Sequence, residues 1–192
     1  MNNRIEAAER FHKHVDTVIR QAMINGAKHC CRAGCHYCCY EPVYCEESEV
    51  DLILSKLTPE QLDEVAEKTK TWLAGVQHLL PQKMPSTFEW RNTSTACPFL
   101  KNGMCMVYQH RPMGCREFFA INNPEHCRMP MRKHQKFWQI GSGVHVDAVM
   151  EMLRENRTIE MDNLGVFLAK KLLGVTVSSG SRSVVNAEEA GL

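Results

Sequence analysis

The segment Cys30–Cys39, CCRAGCHYCC, carries five thiols, and CPFLKNGMCMVYQHRPMGCRE adds Cys97, Cys105 and Cys115. Cys45 and Cys127 bring the total to ten cysteines. No other feature limits the fold as much, because crowded thiols must be cross-linked, bound to metal or packed as small hydrophobes. The first residues, MNNRIEAAERFHKH, lack the apolar core of an export signal and read as an amphipathic helix. A reducing, cytoplasmic setting is therefore expected. Dense cysteines there point to metal binding or redox chemistry rather than a disulfide framework.

With 192 residues, 44% of them hydrophobic and 23% charged, the chain is long enough to bury one core without disulfides. A net charge of +1 and a pI near 7.6 leave no footprint for nucleic acid, and no apolar run approaches the length of a membrane span. Neither partner is expected.

Apolar residues at Ile5, Ala8, Phe11, Val15, Val18, Ile19, Ala22 and Met23 recur at helical spacing and predict a helix over 3–26, stopped by Asn25-Gly26. A second helix follows Cys45, with Val50, Ile53, Leu54 and Leu57 facing inward. Thr58-Pro59-Glu60-Gln61 is a capping box that opens a third helix, carrying Leu62, Val65, Trp72, Leu73, Val76 and Leu80 and ended by Pro81. Residues 81–95 read as a loop. Asn102-Gly103 between two apolar runs predicts a hairpin, and Pro112 starts a short helix. Further helices are expected over 131–155, interrupted near Gly141-Ser142-Gly143, and over 160–173. From Val175 onward the composition suggests a frayed tail. The expected fold is mainly α: a compact helical single domain over 1–174 with one small β-hairpin, followed by a flexible tail over 175–192.

Two thiolates from one turn chelate a metal when about two to four residues separate them. Cys35 and Cys38 meet that spacing, and Cys31 precedes Cys35 by a similar interval. Cys97, Cys105 and Cys115 are too far apart to act from one turn, but a hairpin can bring the first two together and the next turn can return the third. Neither set makes a complete four-ligand site of standard spacing, so the two sets are expected to converge on shared metal. Cys38 and Cys39 are adjacent, and adjacent side chains diverge on helix and strand alike. Either they serve two centres, or one ligates while the other packs. Cys30 and Cys45 are the expected non-ligands, and Cys127 is open.

These motifs also carry a resemblance. The run Cys31-x3-Cys35-x2-Cys38-Cys39, then Cys97-Pro98-Phe99-Leu100, Gly103-x-Cys105-x-Val107-Tyr108 and Arg111-Pro112-x2-Cys115-Arg116, resembles the cysteine-cluster (CxxCxxCC-type) family of zinc- or iron-chelating proteins. A common form of the family signature has two residues between its first cysteines where this chain has three. The resemblance implies a ligand set of Cys31, Cys35, Cys38, Cys39, Cys97, Cys105 and Cys115, with Cys127 as an addition. Flagellin lysine N-methylase is a distant relative of that family. The shared cysteines do not by themselves carry methyl transfer to this chain.

Zinc needs four thiolates in a tetrahedron, whereas many thiolates on adjacent residues suit a polynuclear iron–sulfur centre better. The expectation is a metal-binding protein with an iron–sulfur cluster or zinc ion, leaning to iron–sulfur. A structural zinc module for a protein partner and a methyltransferase-like enzyme are the alternatives. Arg111 and Arg116 are expected to support the thiolates rather than contact substrate, and Tyr108 to pack its ring against the cysteines. His29, His36 and His126 lie beside cysteines but are surplus to a thiolate site, and Met104 and Met106 flank Cys105 as a soft rim. The basic run Arg128, Arg132, Lys133, His134, Lys136 reads as a solvated face. No nucleotide fingerprint, HExxH helix or Ser/His/Asp arrangement is present, so no residue defines a reaction.

Overall fold

Thiols far apart in the chain meet only if the helices around them pack. The computed structural model describes residues 3–32, 34–83, 85–128, 135–139, 150, 152, 154 and 158–188. Helix α1 (Asn3–Ile24) buries Ala7, Ala8, Phe11 and Val15, and Gly26 follows it at φ 97°. That stripe sits against Met113, Met152 and Ile159.

Strand β1 (Tyr44–Glu46) runs directly into α2 (Glu47–Ser55). Glu46 caps that helix, accepting from Ser48 N, while Glu49 returns a carboxylate to the Glu46 amide. Helix α3 (Pro59–Val76) opens on the predicted box, Thr58 with Gln61, and stops at Val76, ahead of Pro81. Within the expected loop lies a further helix, α4 (Thr87–Asn92), capped by Ser86 and Glu89 in the same reciprocal way. Its one buried side chain, Trp90, meets Trp72 of α3 with ring centroids 6.1 Å apart. That single anchor is why hydrophobic periodicity does not reveal it.

The predicted hairpin forms from β2 (Leu100–Lys101) and β3 (Met104–Cys105). Its turn puts both Asn102 (φ 51°) and Gly103 (φ 74°) in the left-handed region, the geometry that favours Asn-Gly. Pro112 caps α5 (Met113–Arg116), which leads to β4 (Phe118–Ala120). Here the expected helix over 131–155 needs correction. Residues 137–139 are β5 (Phe137–Gln139), antiparallel to β4, as suits consecutive aromatic residues. Met150, Met152 and Arg154 are helical, while 131–134 and 140–149, with Gly141-Ser142-Gly143, lie outside the described residues.

The helix expected over 160–173 is also shorter. Thr158–Asn163 forms β6, with Ile159 and Met161 alternating at a strand's period of two, and α6 (Leu164–Leu173) starts only after Asn163 caps it. Strand β6 lies between β1 and β7 (Ser183–Asn186), pairing Cys45 with Asp162 and Ile159 with Val185. Residues 183–186, expected in a frayed tail, are therefore sheet. Gly180 N donates to Leu80 O at 2.8 Å, and Ala187 is buried.

Helix α6 packs on α3 so closely that a Cβ at Gly165 would collide with the Trp72 ring. The central core joins Val50 and Ile53 of α2, Val65 of α3, Phe99 and Val107 around the hairpin, and Phe167 and Leu168 of α6. The molecule is mainly helical and forms a compact single domain with small antiparallel sheets. No helix among the described residues is long and apolar enough to cross a membrane.

Candidate metal centre

Cys38 and Cys39 sit on a single 3-10 turn, Tyr37–Tyr40. That turn is tied directly to the second cysteine segment, since Cys97 N donates to Cys39 O at 2.7 Å. Leu100 N then donates to Cys97 O at 2.9 Å, turning the chain into β2, while β3 returns with Cys105 and α5 delivers Cys115. From the other side, the His36 ring covers the hairpin turn: a Cβ on Gly103 would lie 3.4 Å from His36 Nδ1.

Arg91 of α4 clamps the same turn. Its guanidinium is buried, pairs with Glu41, and donates to the carbonyls of Tyr37 (3.2 Å) and Cys127. Nothing in the cysteine spacing marks Arg91. The available signal was its place after Trp90 in a segment with a Ser86-x-x-Glu89 cap.

The thiols fall into two groups that share Cys38. Cys97, Cys105 and Cys115 each lie within electrostatic reach of Cys38, and Cys39 lies within reach of Cys97 and Cys115. Cys31 and Cys35 are also within reach of Cys38, and of each other and Cys30. Burial is the main cause that raises the pKa values of Cys31, Cys35, Cys97, Cys105 and Cys115, and neighbouring thiols add to it. Cys97 is pushed up to about 12, and Cys115 well above its ordinary value.

Backbone amides oppose that trend in a repeated pattern. The amide of the residue two positions ahead donates to sulfur at Cys35 (from Tyr37), Cys97 (from Phe99) and Cys105 (from Val107), and Ala120 does so at Cys31. Such donors favour the thiolate, the form that binds metal. Cys39 holds its proton in a thiol–thiol hydrogen bond to Cys38, which lowers the pKa of Cys38 and raises that of Cys39.

Arg111 favours the charged forms of Cys105 and Cys115, while its guanidinium lies 4.1 Å over the Tyr108 ring. That ring is exposed instead of packed inward as expected. Arg116 acts on the backbone instead: it donates to the carbonyls of Gln109 (2.6 Å) and Arg111 (2.7 Å) and pairs with Asp16 of α1. Cys45 lies fully buried in the core beside Asp162. Cys127 is buried, its carbonyl held by Arg91 together with that of Tyr37. His29 packs on Phe119, His126 contacts Asn122, and His36 contacts Gly34 O. Met104 is exposed, and Met106 packs against the core.

Among the described residues, no three His, Cys, Asp or Glu side chains already stand in closed ligand geometry. The thiols converge without closing. Their chemistry nevertheless fits a soft, thiophilic metal: the donors are sulfur, several already accept amide hydrogen bonds, and Arg111 offsets negative charge. A family model matches residues 29–138, more than half the chain, and spans every thiol of both groups. The chain belongs to the CxxCxxCC family. That family is described as a putative zinc- or iron-chelating domain. No curated protein and no solved structure matches the chain, so the link to flagellin lysine N-methylase gains no support. The CxxCxxCC assignment supports metal binding by the cysteine cluster and leaves zinc and iron both open.

Proposed function

We infer that this CxxCxxCC protein holds a polynuclear, thiolate-bound metal centre, with an iron–sulfur cluster favoured over zinc. Cys38, Cys39, Cys97, Cys105 and Cys115 form its heart. Cys31 and Cys35 extend the donor set through Cys38, and Cys127 is the eighth candidate. The observation that carries this reading is the excess of thiols around Cys38, from both sides of the hydrogen bond joining Cys39 to Cys97. A single tetrahedral ion uses four thiolates, whereas six other thiols interact electrostatically with Cys38. Such a centre would supply electron-transfer or transferase chemistry. The chain's own part is to hold the thiolates, with amide donors at Cys35, Cys97 and Cys105 and the Arg111 charge stabilising them.

Anaerobic purification followed by iron, zinc and acid-labile sulfide analysis tests this. Iron and sulfide in comparable amounts, with visible absorption, support the cluster. Two zinc ions per chain without sulfide would instead support a structural module for a protein partner, since closed four-thiolate zinc leaves no open position. A folded protein that binds neither metal would end both readings.

A further inference from the structure

Asn163 closes β6 and caps α6, and it carries one polar group that these roles leave over. Its Oδ1 accepts from Gly165 N at 2.9 Å, which fixes the orientation of the amide and makes Nδ2 the remaining donor. Among the described residues no acceptor meets Nδ2, although only 3% of Asn163 is exposed. Buried amide donors of this kind nearly always have a partner. Beside the amide lies a cavity of about 10 Å³, where Asn163 shares the lining with Cys39, Cys97 and Glu41, between the rings of Trp72 and Trp90. The Cys39 and Cys97 thiols are within electrostatic reach of each other. The walls are fixed on both sides. Leu164 N donates to Val43 O at 2.8 Å, and the Trp72 ring rests on Gly165 with no room for a Cβ.

We propose that Asn163 is a positioning residue of the cysteine centre: its amide holds one ordered water in this cavity, and that water donates a hydrogen bond to a sulfur of the Cys39–Cys97 pair. The inference rests on the metal-centre reading above and deepens it. The space is that of a single water. Because Nδ2 is a donor, its partner must accept, which excludes a cation. An anion would be enclosed by two indole rings beside the Glu41 carboxylate and the thiols, so charge excludes it too. Water accepts from the amide and still has two protons to give. Sulfur is the acceptor that benefits, because a hydrogen bond to a ligand thiolate disperses its charge and strengthens its hold on metal. Groups that supply such bonds typically change metal affinity about tenfold or more. Asn163 is far along the chain from either cysteine segment, and the pairing of Tyr44 with Asn163 in the sheet is what brings it to them.

The test combines a crystal structure of the metal-loaded full chain with metal retention in two variants. The crystal structure should show a water about 3 Å from Asn163 Nδ2. Asn163→Asp keeps the shape of the side chain and the oxygen that caps α6 but removes the donor. Asn163→Ser also caps well, adds no charge and is too short to reach the water. Both variants should lose metal to excess EDTA at neutral pH about tenfold faster than the unaltered protein. Because the cap remains, the melting temperature of the metal-free chain should stay as it was. A role confined to capping would leave the rate of metal loss unchanged as well. Metal held equally well by all three proteins, or a cavity without water on Nδ2, would overturn this inference alone. A chain that binds no metal before any substitution would sink the metal-centre reading and this inference with it. Should one variant fail to fold, the other and the crystal structure decide.

Discussion

Cys38 is the residue on which the two thiol groups depend, and its chemistry differs from that of its neighbours. It is exposed and accepts a hydrogen bond from the Cys39 thiol, which lowers its pKa, while burial pushes Cys97 up to about 12. In metal-free, reduced protein near pH 7.5, Cys38 should therefore be the first of the cluster thiols alkylated by iodoacetamide, and Cys97 and Cys115 among the last. Peptide mass spectrometry at short times reads the order, and early labelling of Cys97 would contradict it. The raised thiols also set a pH dependence. A folded-state pKa above the ordinary 9.0 means that the fold favours neutral Cys97, so its contribution is complete below pH 9 and is lost as pH rises toward 12. The melting temperature of the metal-free chain should fall across that window.

Arg91 is the other decisive residue. Arg91→Ala leaves Glu41 without its guanidinium partner and frees the carbonyls of Tyr37 and Cys127, so it should cost about 3 kcal/mol and lower metal content. Arg91→Lys should not restore either, because one ammonium cannot span three acceptors in a fixed fork.

At the scale of elements, what was legible had a local cause. The capping box at Thr58 and Gln61 and the left-handed Asn102-Gly103 turn depend on residues a few positions apart, and both are where the sequence places them. The strands β5, β6 and β7 were not legible, because their partners lie far along the chain. Tyr44 pairs with Asn163, and Thr158 with Asn186. The run Thr158–Asn163 is too short for its alternation to outweigh the helical residues that follow, and Ser- and Gly-rich composition hides the β-branched Val184-Val185. The contact between α3 and α6 is equally non-local and gives a direct prediction. Gly165→Ala pushes a methyl into Trp72 and should destabilise the protein by about 2 kcal/mol, measured by urea unfolding. An unchanged midpoint would mean that α6 does not rest on that ring.

For the whole molecule, the sequence did not show how the separated cysteine segments are joined. Spacing identified two incomplete cysteine sets. The link between them is a backbone hydrogen bond from Cys97 to Cys39, the His36 ring over Gly103, and an arginine from a helix that periodicity did not show. Each of these depends on tertiary packing, which residue types alone do not encode in a readable pattern.

The claim at the base of this account is that segments 31–39 and 97–115 share one metal centre. Metal per chain in anaerobically purified Cys105→Ser, compared with the unaltered protein, tests it most directly. A shared centre predicts loss of at least half the metal together with a changed absorption spectrum. Full occupancy with an unaltered spectrum would show that the N-terminal cysteines bind metal by themselves, and would contradict it.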